Sequence, residues 1–115
     1  MPNYTDLTVT VKSTNDGNRY YINNMRQMPL ALTEGSVYRF DLSDSTLSTH
    51  GFRFSETRDG THNSGSSYTT GVTVNGTAGE SGAYIEIDVA DNAPNLFYYC
   101  INHSGMGGTV ETVGG

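Results

Sequence analysis

Cysteine occurs once in this chain, tryptophan not at all, and proline three times. A single Cys100 rules out an intrachain disulfide framework and a zinc site built from cysteines alone, so stability has to come from packing. Basic residues are few: six Lys and Arg stand against twelve Asp and Glu, a formal net charge of −6. That balance leaves no electrostatic footprint for a phosphate backbone or an anionic membrane surface, so no nucleic acid partner is expected. Long apolar runs are also missing. Met1 to Tyr20 mixes Thr, Asp, Asn and Arg with alternating apolar positions and holds nothing like a signal-peptide core or a membrane span. The expectation is a soluble chain with no membrane insertion and no export signal in these residues. No Ser-His-Asp grouping and no phosphate-binding loop is present, so the protein is not expected to be an enzyme.

At 115 residues the chain suits one domain, 1–115, large enough to bury a single core. Gly is abundant, Ser, Thr and Asn recur, and Tyr is the commonest aromatic, whereas Ala and Leu are sparse. This composition favours short strands and turns over helices. Leu7, Val9 and Val11 alternate with Thr8 and Thr10, which predicts a strand over Asp6–Lys12 with one buried face. Asn15-Asp16-Gly17-Asn18 is a turn signal, and Arg19–Asn23 reads as the returning strand. Leu30–Thr33 and Ser36–Leu42 flank Glu34-Gly35 as two further strands. Gly51–Phe54, Ala83–Ala90, Leu96–Ile101 and Thr109–Val113 complete a set of about seven or eight, the number of a two-sheet sandwich. The polar stretch Ser55–Gly82 reads as a long decorated loop with at most a short strand. No internal repeat is evident.

Chemistry concentrates in Cys100-Ile101-Asn102-His103-Ser104-Gly105-Met106. A thiolate, an imidazole and a thioether recur there at three-residue intervals, on a loop leaving one strand before another begins. Soft donors of this kind suit copper, and two histidines, one cysteine and a weak axial methionine make a type 1 ligand set. The second imidazole has to come from elsewhere, and His50, at the threshold of the Gly51–Phe54 strand, is the candidate. The other groups have plainer readings. His62 lies in a Gly- and Ser-rich context and reads as a solvated loop histidine. Met25 and Met28 read as core filling or loop contacts. Tyr20, Tyr21, Tyr98 and Tyr99 read as packing residues, with Tyr99 beside Cys100 able to screen the site. Asp41, Asp44, Asp88 and Asp91 read as a solvated acidic surface.

The chain resembles the cupredoxins, the blue copper proteins, most closely over Leu96–Met106, which is similar to the short ligand loop of the amicyanin and plastocyanin type. Leu30–Leu42 and Thr49–Phe54 are similar to the family's strand–turn–strand segment and its first-histidine segment. The resemblance implies an all-β, cupredoxin-like Greek-key sandwich holding one copper ion. It further implies Cys100 as thiolate ligand, His50 and His103 as equatorial imidazoles, and Met106 as axial ligand, with one-electron transfer as the activity. A redox partner protein would dock near His103, which would lie at the surface. Two departures stand out. Many members place Asn directly after the first histidine to tie the ligand loops together, where this chain has Gly51. Many have Pro before the loop histidine, where this chain has Asn102, whose backbone N–H could donate to the Cys100 sulfur and raise the potential. A second reading, of another class, is a structural or decoration module with copper structural or absent. Its Thr-, Ser- and Gly-rich character resembles cupredoxin-like modules of marine phage and bacterial surface proteins, and its partner would be a virion or surface assembly protein. The compartment would be periplasmic or extracellular for a redox carrier and the virion for a structural module.

Overall fold

A computed structural model describes residues 3–114. The architecture is an all-β sandwich of two mixed sheets. The strands are β1 (Thr5–Thr14), β2 (Gly17–Ile22), β3 (Met25–Arg26), β4 (Leu30–Thr33), β5 (Val37–Asp41), β6 (Phe52–Ser55), β7 (Val72–Asn75), β8 (Tyr84–Asp88), β9 (Leu96–Cys100) and β10 (Gly108–Val113). The six-stranded sheet runs β3-β2-β1-β5-β8-β7 and the four-stranded sheet β4-β10-β9-β6. Two short 3-10 turns, Ser45–Leu47 and Gly60–Asn63, interrupt the connections. Among the described residues no helix is long and apolar enough to cross a membrane.

All eight strands expected from the periodicity form. The count reaches ten because β3, of two residues, and β7, inside the segment read as a decorated loop, are added. Neither leaves a clear alternation to read, since β3 is exposed throughout and only Val72 of β7 is partly buried. Elsewhere the period of two is what the core demands: Val9, Phe40, Ile85 and Ile87 from one sheet meet Phe54, Leu96, Tyr98 and Val110 from the other. The centre is aromatic. Phe52 stacks on Tyr98 with ring centroids 5.1 Å apart, and Tyr20 meets the Phe52 ring edge-on at 5.1 Å. These large rings link the sheets and supply burial that a core without tryptophan would otherwise lack.

Antiparallel pairing of β6 with β9 sets Phe52 opposite Cys100. The start of β6 therefore lies beside the end of β9, which brings His50 and Cys100 to one pole despite fifty positions of sequence between them. The loop from Ile101 to Gly107 joins β9 to β10 at that same pole. Met106 anchors it across the sandwich, its carbonyl accepting from the Tyr20 N–H of β2 at 2.9 Å.

Candidate metal centre

His50 reaches its place through a short, well-tied approach. Asp44 caps the first 3-10 turn by accepting from the Thr46 N–H and hydroxyl, and these bonds hold its carboxyl below the usual range. Asp44 is thus a cap as well as an exposed acid. Thr46 Oγ1 accepts from the Val11 N–H at 2.9 Å, fixing the turn to β1. Leu47 is fully buried beneath it, and the His50 N–H donates to the Leu47 carbonyl at 2.8 Å. The Tyr20 hydroxyl then donates to the His50 carbonyl at 3.0 Å. Burial first, and neighbouring Cys100 second, keep this hydroxyl well above the usual phenol range, so it remains a donor.

Three donor atoms converge. Cys100 Sγ lies 3.7 Å from His50 Nδ1 and 3.8 Å from His103 Nδ1. The two imidazole centroids are 4.7 Å apart, and one ligand atom from each of the three residues falls within 4.8 Å of the others. A first-row metal bonded at about 2.3 Å to sulfur and 2.0 Å to nitrogen, with about 120° between bonds, separates those atoms by ~3.7 Å. The spacing of sulfur from both nitrogens therefore suits a single metal ion shared by the three residues. Cys100 is fully buried and His50 nearly so, while His103 is exposed, as expected for it. Met106 is buried and lines the same recess as His103. Desolvation, then the charge of His103, depress the pKa of His50, which favours the neutral imidazole that a metal needs.

Neighbouring groups hold the loop more closely than the sequence suggests. Asn102 donates from Nδ2 to the Thr49 carbonyl at 2.6 Å, and the Ile101 N–H donates to the Gly51 carbonyl at 2.9 Å. These bonds join the His50 segment to the ligand loop. The tie that Gly51 cannot provide is thus made from the opposite side, by the Asn102 side chain; Asn102 acts through that amide on Thr49. A Cβ at position 51 would sit 2.7 Å from Ile101 Cδ1, so Ile101 fills the space an asparagine would need. Gly107 is constrained further: a Cβ there would lie 1.7 Å from the Tyr98 carbonyl oxygen.

His62 is exposed and outside the ligand group, as its reading as a solvated loop residue expects, but that reading misses a hydrogen bond. Its ring is exposed, yet Nε2 lies 2.7 Å from the Cys100 carbonyl oxygen. A carbonyl only accepts, so Nε2 carries the proton. Three residues earlier, Asp59 accepts from the Ser104 hydroxyl and, at 2.9 Å, from the Gly105 N–H. Gln27 donates to the Gly107 carbonyl at 2.7 Å. The Asp59–His62 segment, read as decoration, braces the stretch that carries Cys100, His103 and Met106. Only Asp59-Gly60 hinted at it, a pair suited to positive φ; both residues adopt it, and Gly60 leaves room for the Tyr99 ring. Tyr99 is fully buried, as expected, with its hydroxyl on Ser67. Tyr20 and Tyr98 are core residues, whereas Tyr21 lies partly exposed beneath Lys12. Met28 packs against the core; Met25 is exposed.

No family model matches the chain, and no curated protein or solved structure matches it. The functional reading therefore rests on the site. His50, Cys100 and His103, with Met106 nearby, form a group able to hold a metal ion.

Proposed function

We propose that the protein binds one copper ion through His50 Nδ1, Cys100 Sγ and His103 Nδ1, with Met106 as axial ligand, and that it carries single electrons. The observation that supports this most is the pair of sulfur–nitrogen separations, 3.7 and 3.8 Å, which suit one sulfur and two nitrogens sharing a metal ion. One thiolate, two imidazoles and a thioether are soft enough for both copper(I) and copper(II), and bound copper would supply the one-electron couple. The chain's own part is rigidity. Tyr20 fixes the His50 carbonyl, Asn102 ties the two ligand segments, and Asp59 and His62 hold the loop backbone. A site held this way changes little between oxidation states, which keeps electron transfer fast. Burial of Cys100 limits access to the sulfur, and exposed His103 gives the electron a route to the surface. This reading takes the sandwich to be of the cupredoxin type.

The test is an optical titration with copper(II). The proposal predicts an intense thiolate-to-copper band near ~600 nm that saturates at one equivalent and is absent from Cys100→Ser. A folded protein that binds copper without that band, or whose band survives in Cys100→Ser, would contradict it.

A further inference from the structure

The six basic residues of the chain are Lys12, Arg19, Arg26, Arg39, Arg53 and Arg58. Two are committed to carboxylates, Arg26 to Asp16 at 2.7 Å and Arg39 to Glu86 at 2.9 Å, and Lys12 sits over the Tyr21 ring. Among the described residues Arg19, Arg53 and Arg58 have no carboxylate within ion-pair distance. Arg19 and Arg53 flank the metal-binding group, and Arg58 stands beside the loop that carries it. Arg19 lines a recess with His103 and Met106, and Arg53 lines a second with His50 and Ile101. Arg58 lines a third against Gly105, between His103 and Met106 in the loop. Among the described residues Asp16 and Asp59 are the only acidic groups lining these recesses. Both are engaged, Asp16 by Arg26 and Asp59 by Ser104 and Gly105. Beside Arg53, Ile101 and Val74 are 41% and 45% exposed and line the recess that holds His50.

We infer that this pole is the docking surface for an acidic protein partner, whose carboxylates meet Arg19, Arg53 and Arg58 while its apolar centre covers Ile101 and Val74. The inference takes its purpose, electron exchange through His103, from the copper reading. Its physical basis is separate. Arg19 and Arg53 donate to the Asn18 and Phe52 carbonyls and Arg58 lies over the Phe97 ring, so among the described residues none has its charge offset by a carboxylate. A chain of net charge −6 repels an acidic partner on average, so three such arginines beside the ligand loop make that surface a favourable approach. Arginine is also the basic residue best suited to paired contacts with carboxylates, and exposed apolar groups ringed by charge are the usual form of an interface core.

The test uses the full chain without added metal and hexaglutamate as probe, followed by amide NMR shifts. Saturable shifts are expected at Arg19, Gly51, Arg53, Arg58, Ile101 and Ser104. Binding should weaken about tenfold between roughly 0.05 and 0.5 M salt, and a similar loss is expected in the triple variant Arg19→Gln, Arg53→Gln, Arg58→Gln. Arg39→Gln, whose partner Glu86 lines none of these recesses, should leave it unchanged. Absent or scattered shifts, or shifts that survive in the triple variant, would overturn the inference. So would inorganic phosphate giving the same pattern at equal affinity, which would make this a small-anion site. Hexaglutamate binding in a protein that shows no copper–thiolate band would sink the copper reading and leave the surface standing; the band without binding would do the reverse.

Discussion

His62 donates its Nε2 proton to the carbonyl of Cys100, so its role can be separated from that of a ligand. Replacing His62 with Ala removes one hydrogen bond, at a cost of about 1 kcal/mol, and frees the backbone of Cys100. The expected result is a lower melting temperature together with a shifted copper–thiolate band; His62→Gln, which keeps an amide donor on a side chain of similar reach, should restore both. Calorimetry and the optical spectrum check this. His50 gives a pH prediction for the metal-free protein. Burial, then His103, lower its folded pKa below the unfolded value of 6.5. Between those two values the unfolded chain binds more protons, so stability rises with pH there. The contribution is complete above pH 6.5 and is lost as pH falls through the folded pKa. Melting temperatures measured from pH 8 downward should decline below about 6.5, and His50→Gln should flatten that decline. At this scale the sequence is informative where side-chain chemistry is unusual: Cys100, His103 and Met106 announce themselves by spacing. His62 does not, because its partner is a backbone carbonyl that only the fold brings near.

The ligand loop and its brace behave as one element. Asp59 holds both the Ser104 hydroxyl and the Gly105 N–H, the two groups between His103 and Met106. Removing such a support loosens metal ligands without touching them, typically by 10- to 100-fold in affinity. Asp59→Ala is expected to weaken copper binding by about that factor in a competition titration, while Asp59→Asn, which keeps one acceptor oxygen and tolerates the left-handed backbone at this position, should recover part of it. Equal affinity in wild type and Asp59→Ala would remove the brace from the account. The strands were legible wherever one face is buried, as in Leu7-Thr8-Val9-Thr10-Val11, since a slip of one residue would turn the apolar set to solvent. The 55–82 segment was not, because its structure comes from hydrogen bonds of Ser, Asp and His to distant backbone. Ser55, fully buried with its hydroxyl on the Ser66 carbonyl, is such a case.

Over the whole molecule, the register of β6 against β9 turns a sequence separation of fifty residues into a sulfur–nitrogen distance of 3.7 Å. The sandwich was foreseeable from eight alternating segments, but the order β4-β10-β9-β6, which puts both ligand segments at one pole, was not, because pairing between strands leaves no local mark. A site assembled from segments fifty residues apart in sequence, which only the folded sheet brings together, couples metal binding to folding. Free copper at a hundred times its dissociation constant should add about 2.7 kcal/mol to stability. A higher melting temperature in the wild type and none of that gain in Cys100→Ser would follow. The most direct measurement of the central claim is X-ray absorption at the copper edge of the protein loaded with one equivalent. The account predicts a first shell of one short sulfur and two imidazole nitrogens, losing the sulfur in Cys100→Ser. A shell of nitrogen and oxygen alone in the wild type would contradict it.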